Sequence, residues 1–325
     1  MNTFISKPYE LLLGIHISYL YEYPNQRENF DFIEIPPIKY VNDIINLINI
    51  NKYPEVIKYL NSYTDESLIP TIALNMNDNY ELSEEEIDYS KYQKYLEYKT
   101  LKDFANEIKK IAFDINWDSF FEAHKDFYNS MIERFSKFPS NLSLEELKKL
   151  YGISNAEFNY IPSVLMNGGF GISNKSKTKL FYNRGFVFDK KINDFYFDQE
   201  YLCECLFHEF SHPFINDLVD ENFEKFEFIE DLYENAIKHN LPKTYHNPKA
   251  LLYEYFVRIN ALYFVQKYFK YVDFSSWIKE HGFSYIEELY LFTKDNLPKY
   301  DNYTQFFENE MINYVNERLS NRIRK

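Results

Sequence analysis

Two of the chain's seven histidines stand four positions apart in the stretch LFHEFSHPFIN, residues 206–216, with a glutamate directly after the first. On an α-helix, residues four apart lie on one face, one turn above the other. His208 and His212 can therefore aim two imidazole nitrogens at one point, as a tetrahedral zinc ion requires at about 2.0–2.1 Å. Glu209 lies about 100° further round the helix, which makes it a poor ligand but a good neighbour to a water on the metal. It can take that water's proton as the oxygen attacks a carbonyl, and then deliver the proton to the leaving amine. The alternative is a histidine pair that shares a helix face by chance. The apolar run EYLCECLF before it and the glycine-rich segment upstream favour a buried, functional helix.

HEFSH resembles the HExxH motif of the zincin metallopeptidases. The wider pattern is similar to a bacterial family of predicted metallopeptidases, domain-of-unknown-function family 4932. The stretches carrying that likeness are YELLLGIHISYL, WDSFFEAHKDFYNSMIERF, LFHEFSHPFIN and LLYEYFVRINAL, which span residues 9–262. The resemblance implies a zincin-like α+β fold, mainly helical, with a small mixed sheet beside the active-site helix. It also implies one Zn²⁺ ion, hydrolysis of a peptide or protein substrate, and a third protein ligand. His212 is not followed by the glycine and third histidine of metzincins, so the likeness is to gluzincins, which use a glutamate on a second helix. The best candidate is Glu254, set in KALLYEYFVRINALYFVQKYF, where an unpaired carboxylate among apolar residues would be costly. Its apolar stripe includes Leu251, Tyr255, Leu262 and Val265. An i,i+4 pair between Glu254 and Arg258 is the competing explanation. Glu227, Glu230 and Glu234 are rival ligands.

Many gluzincins carry an aspartate four residues after the ligand glutamate, and this chain has Arg258 there. That residue can orient Glu254, meet a substrate oxygen as an anion partner, or form an ordinary salt bridge elsewhere. Tyr245, His246, Tyr253 and Arg258 are candidates for stabilising an oxyanion. His239 shares the segment between the two ligand helices with His246, whereas His16, His124 and His281 are expected at structural positions. Two other readings stand beside the peptidase. One is a catalytically idle zinc-binding scaffold for partner recognition, which would have no need of Glu209. The other is a zinc hydrolase of non-peptide amides.

The elements that position these groups are mostly helical. Spacing predicts helices over 9–22, 40–50, 54–61, from Asp118 to Phe135, 199–212, 222–239 and 248–270, with one or two over 83–113. Ser143 and Glu146 fit a capping box before LKKL, with Gly152 as the C-terminal cap. Pro213 predicts that the histidine helix ends or kinks at His212. Five of the seven glycines fall between Gly152 and Gly185, so IPSVLMNGGFGIS and KLFYNRGFVFD read as strands with glycine turns. The first of them could pair with a substrate backbone along a sheet edge, or form a plain hairpin. A division into an N-terminal helical region, 1–113, and a catalytic domain, 114–325, is one reading, and a single continuous domain is the other.

Composition bounds the rest. The 325 residues are 45% hydrophobic and 20% aromatic, enough to bury a large core. A net charge of −14 opposes binding to a phosphate backbone. Cys203 and Cys205 point in different directions on a helix and cannot pair with each other. The N-terminus lacks the marks of a secretory signal, and no apolar run approaches the length of a membrane span, so a cytoplasmic protein is expected.

Overall fold

The computed structural model describes residues 1–62, 68–83, 98–227, 229–239, 241, 245, 247–269 and 282–319. The chain is mainly helical with a small mixed sheet, and it divides into two compact units. The first comprises Met1–Lys137 and Glu157–Asp198, and the second Phe138–Ala156 and Gln199–Lys325. Residue 114 lies inside the first unit.

The first unit is built round the helix Lys7–Glu22, in which every residue from Pro8 to Leu20 is buried. A helix that is predominantly apolar round its circumference belongs in the middle of a core, and here it carries Glu10, His16 and Ser18 inside with it. Its start is fixed by Ser6, whose side chain accepts from the Tyr9 N–H, and by Pro8 in the first turn. The helices Lys39–Leu47 and Leu68–Leu74 pack against it. Gly14 allows the former to come close, since a Cβ there would lie 3.1 Å from Ile44 Cγ2.

The larger sheet of this unit has the order β1-β2-β4-β3, from β1 (Asn2–Thr3), β2 (Glu157–Ser163), β3 (Gly169–Ser173) and β4 (Lys179–Gly185). β1, β2 and β4 run parallel, and β3 lies antiparallel to β4 at the edge. Six of the seven β2 residues are buried, as expected for an interior strand. The strands read from the glycine-rich segment are therefore present, in the first unit. The histidine helix belongs to the second.

Gly185 closes β4 against the Met166 backbone, and a Cβ built there would overlap the Met166 carbonyl group. That backbone cannot easily retreat, because Asn167 donates to Phe32 O at 2.8 Å and Glu34 donates to Leu165 O at 2.9 Å. Gly185→Ala is therefore expected to destabilise this unit by about 3 kcal/mol, read as a lower urea midpoint at unchanged slope. An unchanged midpoint would show that the contact relaxes freely.

Several helix limits differ from the sequence reading for identifiable reasons. The segment after Asp118 is two helices, Trp117–Ala123 and Lys125–Phe135, interrupted at His124. The His124 ring contacts Phe120 O through Nδ1 and Asp43 through Nε2 at 3.1 Å, a structural position as expected. His16 is also structural, being fully buried with Nδ1 2.7 Å from Leu12 O. The helix expected at 40–50 stops at Leu47, and that expected at 248–270 stops at Val265. Of the one or two helices expected over 83–113, residues 84–97 lie outside the described residues, and Tyr98–Asp114 is helical.

The capping box at Ser143 does not form. The helix begins at Glu145, Ser143 Oγ accepts from the Glu145 N–H, and Glu146 pairs with Lys267. Gly152 does end that helix in the left-handed region, at φ 69°.

The second unit is organised round two long helices packed against each other, Gln199–Asn222 and Pro248–Val265. Leu251, Tyr255, Leu262 and Val265 are all buried, as their spacing predicts. The helix Ile286–Asn296 packs on the second of the pair. Among the described residues no helix is long and apolar enough to cross a membrane.

Candidate metal centre

The histidine helix runs from Gln199 to Asn222 with Pro213 inside it, so the first of the two outcomes expected from Pro213, an end at His212, does not occur. Proline lacks the N–H that would bond the carbonyl four residues back, here that of Glu209. Burial holds the helix together past this defect, since Leu206, Phe207, Phe210, Ile215 and Val219 are all completely buried. Each buried side chain of this kind stabilises by roughly 1.5–3 kcal/mol, against a proline penalty of about 3 kcal/mol. Ser211 also turns inward and donates to Phe207 O at 2.7 Å.

The glutamate helix starts at Pro248, where the Asn247 side chain accepts from the Ala250 N–H at 2.8 Å. It runs antiparallel to the histidine helix. Asp220 meets Tyr253 and Lys249 late on one and early on the other, while Phe207 stacks on Phe264 at the opposite end.

Between these ends the two helices bring His208, His212 and Glu254 together, with one ligand-type atom from each within 4.8 Å of the others. The two Nε2 atoms are 3.0 Å apart, and the rings stand at 82° to each other. Glu254 Oε1 is 3.4 Å from His212 Nε2, and Glu254 Oε2 is 3.8 Å from His208 Nε2. Donors about 2.0–2.1 Å from a tetrahedral ion are separated by about 3.4 Å, so these spacings fit a single ion of that size. The His212 Nδ1 atom lies 3.2 Å from Asn216 Oδ1, an acceptor, which requires the proton on Nδ1. The lone pair of His212 is thereby left on Nε2, facing the other donors. Burial, then His212, then the Arg258 charge hold His208 well below the usual imidazole range, so it is neutral and able to donate a lone pair.

Arg258 completes the i,i+4 pair with Glu254, its NH2 2.9 Å from Oε2. Its guanidinium also donates to the Tyr245 hydroxyl at 3.0 Å and lies over the Phe283 ring at 5.2 Å. The Tyr245 hydroxyl in turn donates to Glu254 Oε2 at 3.3 Å. The two explanations offered for Glu254, cation ligand and partner of Arg258, are thus compatible, because Arg258 and Tyr245 both engage Oε2 while Oε1 faces His212.

Of the remaining candidates, Glu209 is half-buried beside His208 on the same helix. Tyr253 turns away and donates to Asp220. Glu230 and Glu234 are exposed, and the three-ligand group among the described residues contains neither of them nor Glu227. His239 is exposed, with Nδ1 2.8 Å from Asn235 O. His246 and His281 lie outside the described residues.

Sequence reasoning missed Asn216 and Glu204. Both continue the stripe of His208 and His212 at four-residue steps, a signal that was present in the spacing. Burial pushes the Glu204 carboxyl up to about 7, against the pull of Arg258 and with a contribution from Glu200.

No curated protein and no solved structure matches the chain. The model of the family described as a domain of unknown function (DUF4932) matches residues 12–314, nearly the whole length, and the chain belongs to that family.

Proposed function

We propose that the protein is a zinc-dependent peptidase of the gluzincin type, acting on peptides or a protein. The observation that carries this reading is the convergence of three neutral or anionic donors, His208, His212 and Glu254, drawn from two helices of one unit. Two imidazoles and one carboxylate are the ligand set of many hydrolytic zinc sites, which keep their fourth position for water or substrate. Zinc held there supplies Lewis-acid polarisation of a carbonyl and makes water a nucleophile near neutral pH.

The chain's own residues supply the remainder. His208 and His212 offer Nε2 lone pairs, with the second fixed in its tautomer by Asn216. Glu209 accepts the proton of the attacking water and passes it to the nitrogen of the leaving amine. A purely structural cation site would have no use for a carboxylate at that position. The small mixed sheet and the preponderance of helix are compatible with a zincin-like architecture.

The test is metal analysis of the purified protein together with cleavage of a broad peptide library. About one zinc per chain, cleavage abolished by a chelator, and restoration by zinc are expected. Glu254→Ala should weaken zinc binding by at least about 10-fold. Protein that takes up no zinc would sink the proposal. Protein that holds zinc yet cleaves no peptide would point instead to an idle binding scaffold or to a non-peptide amide substrate.

A further inference from the structure

We infer that Arg258 and Tyr245 are positioning residues which make Glu254 a one-oxygen ligand, by occupying its Oε2 and leaving Oε1 for the cation. This rests on the metal reading above. A carboxylate oxygen has two in-plane acceptor sites. Both sites of Oε2 are engaged, by Arg258 NH2 at 2.9 Å and by the Tyr245 hydroxyl at 3.3 Å. Oε1 is the oxygen nearer an imidazole, 3.4 Å from His212 Nε2, whereas Oε2 stands 3.8 Å from His208 Nε2.

The three groups form a closed triangle. Arg258 donates to Tyr245 at 3.0 Å, and Tyr245 donates onward to the carboxylate, so the phenol is satisfied as acceptor and as donor. The carboxylate cannot rotate about its last bond without breaking two hydrogen bonds, one of them charge-assisted. The surroundings hold the clamp in place. The side chains of Arg258 and Glu254 are 14% and 13% exposed, and the guanidinium is stacked on Phe283. Glu204 adds a second carboxyl near the same guanidinium, so Arg258 is drawn toward both helices at once.

The arrangement has a chemical consequence. A carboxylate free to bind through both oxygens would add a fifth ligand and crowd the coordination position that a hydrolytic site keeps for water or substrate. A clamped Oε2 keeps that position open. It also accounts for arginine where many gluzincins have aspartate: the ligand glutamate itself is supported here, and His212 takes its support from Asn216.

The experiment compares the parent with Tyr245→Phe and Arg258→Lys, after circular dichroism has shown each variant folded. Zinc affinity is measured by competition with a chromophoric chelator, and coordination number by the visible absorption of the Co²⁺-loaded protein. Tyr245→Phe removes one oxygen atom and little packing, so it keeps the test open if Arg258→Lys misfolds. The parent is expected to show the intense bands of four-coordinate cobalt. Zinc affinity should fall about 10-fold in Tyr245→Phe and about 10–100-fold in Arg258→Lys. In both variants the bands should weaken toward a five-coordinate spectrum, as Oε2 becomes free to bind. A role limited to packing would lower thermal stability and leave spectrum and affinity unchanged. Variants that match the parent in both would overturn the inference and leave the metal reading standing. A parent that binds neither zinc nor cobalt would overturn both.

Discussion

Replacing Glu209 by glutamine is expected to lower turnover roughly 10²–10⁴-fold on any peptide the parent cleaves, with zinc affinity close to that of the parent. The separation of the two effects follows from position. Glu209 lies one residue from His208, outside the group formed by His208, His212 and Glu254. Glutamine keeps its size and removes its ability to accept a proton. His208→Ala, by contrast, should lose metal and activity together, because it removes one of the three proposed protein ligands. The measurement is kcat/KM on a cleaved library peptide beside a zinc titration. Equal activity of Glu209→Gln and the parent would exclude the proton-transfer role.

The second large effect concerns the first unit and is independent of metal. Glu10 is completely buried in the central helix, where Tyr40 donates to one carboxyl oxygen and Ser163 to the other, each at 2.8 Å. Burial raises its pKa from 4.5 to about 7, although both hydrogen bonds pull the other way. The folded state therefore holds the proton more tightly than the unfolded chain does. Its contribution is fully present below pH 4.5 and is lost as pH rises to about 7, amounting to about 3 kcal/mol.

His16, one and a half turns further along, has the opposite slope. Burial lowers it from 6.5 to about 4, so its contribution is present above pH 6.5 and lost on acidification. The two slopes oppose each other between about pH 4.5 and 6.5, and the parent should be nearly insensitive to pH there. Glu10→Gln removes one of them. The stability of the variant relative to the parent should rise by about 3 kcal/mol between pH 4.5 and pH 8, read from urea unfolding followed on the first unit. A difference that is the same at both pH values would show that Glu10 ionises at its ordinary pKa.

The parts of the site legible in the sequence were those set by short, regular spacing. His208 and His212 are one turn apart, and a helix was the natural carrier. Glu254 stood out because a carboxylate among leucine, tyrosine and phenylalanine needs a partner. Tyr245 could only be one name among several, since the chain has 31 tyrosines and its approach to Glu254 depends on the path between two helices. Pro213 left an end or a kink open on local backbone preference, whereas the apolar residues on either side bury the helix and carry it through. The strands were found where glycines cluster. The pairing of Asn2 with Asn159 was not, because a two-residue strand has no pattern of its own and its partner is remote in sequence. Ser143 shows the same limit at smaller scale, since its expected capping partner Glu146 is taken by Lys267.

Neither compact unit is a contiguous piece of chain, and this bears on how the protein is made. The polypeptide passes from one unit to the other after Lys137, after Ala156 and after Asp198. The opening strand has no partner until β2 has been synthesised, because Asn2 pairs with Asn159. At ribosomal rates of about 5–20 residues per second, that leaves the N-terminal edge waiting about 8–30 s. During that interval the helix Lys7–Glu22, buried on every side in the folded unit, lacks the sheet that later reaches Glu10 through Ser163. Nascent chains interrupted before about residue 185 would present this helix without its full cover, which makes them substrates for chaperones that bind exposed apolar helices. The same threading means that a cut at any one of the three crossings divides at least one unit: residues 1–198 keep the first whole but carry 138–156 of the second, and residues 138–325 keep the second whole but carry 157–198 of the first, so either unit by itself is obtained only by joining segments.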